Sequence, residues 1–171
     1  AQDPCDGNTT RWGGHGSFLG CRDGTVVSVT VNSDVVAAVN TLNATLFALA
    51  PLPTEVGLLT GLEALTITNT QTPGMLPSQL GQLSALQSLH VDNTSMFGRI
   101  PTELGAAHAL ETLIVAGHSS MVGAIPTELG GLNSLSDLRL ERLQISGTIP
   151  PEFGSMSTLT NLSLQNTNVG G

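Results

Sequence analysis

Apolar residues recur along the chain in a frame of spacing three then two: Leu62, Leu65 and Ile67; Leu86, Leu89 and Val91; Leu110, Leu113 and Val115; Leu135, Leu138 and Leu140; Leu159, Leu162 and Leu164. A valine-built copy, Val26, Val29 and Val31, precedes them. Within the last two positions of each frame apolar and other residues alternate, so each frame reads as a short strand with its apolar side chains on one side. A second landmark stands between frames: Leu52-Pro53, Leu76-Pro77, Ile100-Pro101, Ile125-Pro126 and Ile149-Pro150, at intervals of 24, 24, 25 and 24 residues. Gly74, Gly98, Gly123 and Gly147 lie two residues ahead of the last four of these landmarks, and Gly171 falls in the same phase. A unit of this size cannot bury its own apolar face, so the units must stack into a solenoid with one continuous core.

The frames predict a narrow parallel β-sheet on the inner face, with rungs about 4.8 Å apart. The Gly-x-Ile-Pro stretches predict a second extended segment on a neighbouring side, because Gly permits the turn and Pro withholds a ladder donor. The residues after each Pro predict a short helical turn with Leu104, Leu129 and Phe153 inward. Glu55, Glu103, Glu128 and Glu152 begin these turns, where a carboxylate complements the helix dipole. Val35, Val39, Leu42, Leu46 and Leu49 form a helical stripe closed by Pro51, and Val26 to Leu62 spans one period plus 12 residues. A helix-containing insertion at about 33–50 follows. Residues 1–25 carry no frame and are Gly-rich, with Trp12 and Phe18 as their large aromatics, which predicts an irregular cap sealing the first rung. The expected architecture is thus α/β, one right-handed solenoid of about six rungs over 26–171 behind an amino-terminal cap.

The word running from Leu110, Leu113 and Val115 through Gly123, Ile125-Pro126 and Leu129-Gly130 to Leu132 resembles the plant-type leucine-rich repeat, and the resemblance covers about residues 26–171. Asp3-Pro4-Cys5, Trp12 and Cys21 resemble the cap that precedes such repeats in secreted and cell-surface proteins. Members of that family are mostly extracellular recognition modules: receptor-kinase ectodomains, small co-receptors and inhibitors of secreted hydrolases. The resemblance implies protein or peptide binding. One departure is consistent. Where the family places Asn three residues after each frame, this chain has Thr70, Thr94, His118, Leu143 and Thr167. The resemblance implies that Thr70, Thr94 and Thr167 turn inward and bond backbone groups of adjacent turns in place of Asn, a bond that Leu143 cannot make.

Composition narrows the choice further. Thirteen acidic residues against five arginines and no lysine give a formal charge of -8, which opposes nucleic acid or an anionic membrane as partner. No apolar run reaches the roughly 18 residues that cross a bilayer. Ala1-Gln2-Asp3-Pro4-Cys5 suits a mature amino terminus left by signal-peptide cleavage. The two cysteines, Cys5 and Cys21, both fall in the cap, and one disulfide between them is the leading reading, with an oxidising compartment as its corollary. Paired free thiols or half of a metal site are the alternatives, and no His or Cys stands at metal-site spacing to complete the latter. Asn8, Asn43, Asn93 and Asn161 head Asn-x-Ser/Thr sequons, and a glycan on Asn161 would sit on the inner face.

Strand alternation turns one panel of side chains outward together. Thr66 and Thr68, Ser88, His90 and Asp92, Thr112 and Ile114, and Asp137, Arg139 and Glu141 are the expected partner-binding residues. Arg142 extends the charged end. His90 with Asp92 suggests a metal pair or a general base, but two ligands on one rung leave such a site incomplete. No nucleophile elbow, HExxH motif or Gly-rich phosphate loop occurs, so no catalytic residue, metal or cofactor is expected. The leading functional reading is a non-enzymatic extracellular recognition module, monomeric when free, that binds a protein or peptide on the inner sheet. A secreted inhibitor of an extracellular hydrolase is the alternative, as is a structural, ice-binding or matrix adhesion protein suggested by the 20 threonines and by Thr66-Ile67-Thr68. Register opposes ice binding, since the next rungs put His90 with Asp92 and Ile114 with Ala116 at the same positions.

Overall fold

The computed structural model describes residues 10–11, 17–22, 25–32, 51–117 and 120–170. Three strands lead: β1 (Thr10–Arg11), β2 (Ser17–Arg22) and β3 (Thr25–Asn32). Five copies of one unit follow, each a 3₁₀ turn, a strand and a shorter strand. They are Thr54–Leu58, β4 (Ala64–Thr68) and β5 (Pro73–Gly74); Ser78–Gln82, β6 (Ser88–Asp92) and β7 (Ser95–Met96); Thr102–Ala106, β8 (Thr112–Ala116) and β9 (Val122–Gly123). The last two are Thr127–Gly131, β10 (Asp137–Glu141) and β11 (Gln144–Gly147); Pro151–Ser155, β12 (Asn161–Ser163) and β13 (Asn168–Val169).

The main sheet has the order β1-β2-β3-β4-β6-β8-β10-β12. From β3 to β12 it is parallel, and its six strands are the six rungs. The shorter strands form a second line on the neighbouring side, β5 with β7 and β9 with β11 and β13, joined by a bridge between Gly98 and Met121. The frame is the core: Leu62, Leu65, Ile67, Leu86, Leu89, Val91, Leu110, Leu113, Val115, Leu135, Leu138 and Leu140 are all buried. Leu104, Leu129 and Phe153 join them from the helical turns. In the last rung Leu162 is 38% exposed, having core on one side only.

Two expectations are corrected. The cap is not irregular throughout, since β2 pairs antiparallel with β3 and extends the sheet beyond the first rung, with β1 outside it. The Thr70 and Thr167 hydroxyls bond within their own turns and not to neighbouring ones as expected. Thr70 is buried, but its hydroxyl bonds the Thr72 hydroxyl at 2.8 Å. Thr167 Oγ1 donates to the Leu164 carbonyl at 2.8 Å, three residues back in its own turn, while Thr94 Oγ1 accepts from the Met96 amide at 3.2 Å. A hydroxyl on a branched stem is shorter than a carboxamide and closes its own turn. Leu143 is a core residue. His118, Asn8, Asn43, Cys5 and the 33–50 insertion lie outside the described residues, as does the side chain of Cys21.

What links the rungs at this corner is the residue before the threonine. Asn69, Asn93, Gly117, Arg142 and Asn166 all have positive φ, between 50° and 76°. The amides of Asn69, Asn93, Gly117 and Arg142 donate to Asp92, Ala116, Glu141 and Gln165 carbonyls on the next rung, at 2.8–3.0 Å. Asn93 Nδ2 adds a side-chain link to Asn69 Oδ1 at 3.0 Å. On the opposite side the rungs touch through glycines: a Cβ on Gly81 would lie 2.0 Å from the Glu103 carbonyl oxygen, and one on Gly105 2.5 Å from that of Glu128.

Candidate functional site

The parallel register sorts the outward side chains into columns. Thr66, His90, Ile114, Arg139 and Ser163 share one, with Thr30 ahead of them. Ala64, Ser88, Thr112, Asp137 and Asn161 form the second, and Thr68, Asp92, Ala116 and Glu141 the third. All ten residues expected to bind a partner therefore lie on one face, none of them a frame residue. Nine are half-buried and Arg139 is exposed.

The charges on this face are largely paired with one another. Arg139 Nε donates to both oxygens of Asp137 at 3.0 and 3.1 Å, and its Nη2 stands 2.9 Å from Oδ2. Asp137 holds the Arg139 guanidinium above its ordinary pKa by that hydrogen bond and by its charge, with Glu141 contributing less. Asn161 Nδ2 donates to Asp137 Oδ1 at 2.7 Å, so this sequon asparagine is part of the same cluster. Asp92 Oδ1 accepts from Arg142 Nη2 at 3.1 Å. Among the described residues, no three His, Cys, Asp or Glu side chains stand together to hold a metal ion.

One feature of the site was not legible in the strand pattern alone. At the rim of the sheet a shallow depression is lined by Asn69, Asp92, Asn93, Gly117 and Arg142. Four of these are the left-handed corner residues, and only Asp92 belongs to the expected panel. The 24-residue spacing of Asn69, Asn93 and Gly117, residue types that tolerate positive φ, was the available signal.

Repeat, sheet and helical turns together define a leucine-rich repeat solenoid, and solved structures of that fold match it, including ectodomains of plant receptor kinases. The PEPR1 structure with AtPEP1 superposes with a TM-score of 0.70 and 34% identity, over 72% of this chain and 17% of that one. The BIR3 and SERK2 complex from Arabidopsis thaliana matches with a TM-score of 0.72 and 23% identity, over 100% of this chain and 80% of that chain. A plant ice-binding protein matches with a TM-score of 0.64 and 18% identity, over 88% of this chain and 61% of that chain. The chain thus spans about a sixth of the first neighbour's length and most of the second's. No protein-family model and no curated protein matches the sequence. Among the described residues, no helix is long and apolar enough to cross a membrane.

Proposed function

We propose that this chain is a non-enzymatic, extracellular recognition module of the plant leucine-rich repeat type, which binds a protein or peptide on its inner sheet as receptor and co-receptor ectodomains do. The observation that carries the reading is the outward face itself, six parallel strands presenting aligned columns of polar side chains around Ile114 without a frame residue among them. The Gly-x-Ile-Pro word and the likeness to PEPR1, solved with AtPEP1, support it. The Cys5 to Cys21 disulfide and glycans at the sequons of Asn8 and Asn43 belong to the same extracellular reading, whereas glycans on Asn93 and Asn161 would compete with a partner on the inner face, and intact-mass measurement with and without reductant and glycosidase tests them. The ice-binding alternative has a structural neighbour, but its row of hydroxyls is broken here. Thr30 and Thr66 are followed in register by His90, Ile114 and Arg139.

The test is selection of binders from a displayed peptide library, followed by mapping. His90→Ala, Ile114→Asp and Arg139→Glu should each weaken a selected binder while leaving the melting temperature nearly unchanged. Loss of binding on Glu103→Ala or Glu128→Ala, with all three inner-face variants at wild-type affinity, would place recognition on the helical side and overturn the reading.

A further inference from the structure

The corner column is regular except where it crosses the β8 rung. Asn69, Asn93 and Asn166 supply carboxamides and Arg142 a guanidinium, but the β8 rung supplies Ala116 at the strand end and Gly117 after it, which between them carry one methyl group. The result is a notch with Asp92 and Asn93 on one wall and Arg142 on the other. Gly117 has a steric reason to be glycine: a Cβ there would lie 2.7 Å from Asp92 Oδ1 and 2.8 Å from the Asn93 amide nitrogen. Across this gap Arg142, two rungs from Asp92 and 50 residues away in sequence, places Nη2 3.1 Å from Asp92 Oδ1.

Resting on the inner-face reading above, we infer that the notch over Gly117 is a subsite for a guanidinium or ammonium side chain of the partner, which the protein's own Arg142 fills when no partner is bound. Three observations meet here. The groups around the notch are acceptor-rich: the Asp92 carboxylate, the Asn93 carboxamide and, next to Ala116 in register, the Glu141 carboxylate. The occupant already present is a guanidinium, so the geometry is shown to accept that group. Its hold is weak, because the pair is surface-exposed, with the Arg142 side chain 54% accessible, and exposed ion pairs contribute little. A partner's cation can therefore displace Arg142 without breaking anything in the core, and Arg142 acts as a built-in competitor that sets affinity.

The probe is Nα-acetyl-arginine amide, titrated into the nitrogen-15-labelled whole chain and followed by NMR at the Gly117 and Ala116 amides, with Nα-acetyl-glutamine amide as control. Saturable shifts with the arginine compound and none with the glutamine compound are expected. Arg142→Asn keeps a residue type that adopts the corner conformation at Asn69 and Asn93, and it should tighten the arginine compound at least about threefold by freeing the subsite. Asp92→Asn should abolish saturation. Absence of shifts at Gly117 in both wild type and Arg142→Asn, equal affinity in the two, or equal shifts with the glutamine compound would each overturn the assignment. No macromolecular partner enters this titration, so its failure is distinct from a failure of Ile114→Asp to weaken a selected peptide.

Discussion

Replacing Gly81 by Ala tests how the 3₁₀ turns stack. An added Cβ would lie 2.0 Å from the Glu103 carbonyl oxygen, 2.6 Å from its carbonyl carbon and 3.2 Å from its Cβ. Two of these three atoms are backbone in the next rung, so no side-chain rotation relieves the overlap. The turns must separate by about 1 Å to restore ordinary contact, in a stack whose rungs are about 4.8 Å apart. Overpacking of this kind costs about 1–3 kcal/mol, and a rigid carbonyl places it toward the upper end. The lower unfolded-state entropy of Ala offsets about 0.4–1 kcal/mol, leaving a net loss of about 2 kcal/mol. For a domain of this size each kcal/mol moves Tm by about 2–4 °C, so Gly81→Ala should melt about 4–8 °C below wild type. Gly154 occupies the equivalent position in the last turn, and a Cβ there meets nothing within 4 Å. Gly154→Ala should therefore match wild type or exceed it by up to about 1 kcal/mol. Thermal melts by circular dichroism with parallel urea titrations measure both. If Gly81→Ala is as stable as Gly154→Ala, the turns are not held by this close approach.

The buried hydroxyl pair Thr70 and Thr72 makes a closed cycle: either single change to Val should cost about 1 kcal/mol or more by leaving the other hydroxyl unpaired, while the double change recovers much of that loss. Equal, additive losses in urea titrations would show that the 2.8 Å bond is not what the two sites share. Leu113 and Leu162 hold the same frame position at 0% and 38% exposure. Leu113→Ala should lose about 2–5 kcal/mol and Leu162→Ala distinctly less, and similar losses would mean that the last rung is packed as tightly as the middle.

The frame, the landmark and the number of rungs could be read from the chain because each depends on a residue type that burial selects. Leu113 and Leu138 are apolar since their positions face the core, and the period of 24 follows from one turn of the solenoid. The antiparallel pairing of β2 with β3 was not legible because the Gly-rich composition of the first 25 residues hides the β-prone stretch from Ser17 to Arg22. The ladder expected of Thr70 and Thr167 fails for a subtler reason. Attention went to the position where the family resemblance places Asn, whereas the conformationally demanding position is the one before it. Asn69, Asn93 and Asn166 stand there, and Asn is common at positive φ because its short polar side chain bonds locally. Gly81 and Gly105 were legible as a repeated letter but not as a contact, since a close approach between rungs exists only once the rungs are stacked.

The same contrast bears on the proposed site. In a solenoid, a residue that recurs every turn is explained by the turn, so the surface positions that depart from the period carry the information that stacking does not require. The corner column illustrates this. Asn at Asn69 and Asn93 satisfies the left-handed backbone and adds a carboxamide link between rungs. Gly117 satisfies the same backbone but gives up the link, and Arg142 keeps the backbone of the turn while its side chain reaches Asp92. Neither departure improves the stack. Together they open a gap in the wall and bridge it with a charge, beside the half-buried Ile114 that breaks the polar column next to it. Three departures in neighbouring rungs, all facing the inner rim, are the positions the proposed recognition reading puts to the test, since stacking alone does not require them.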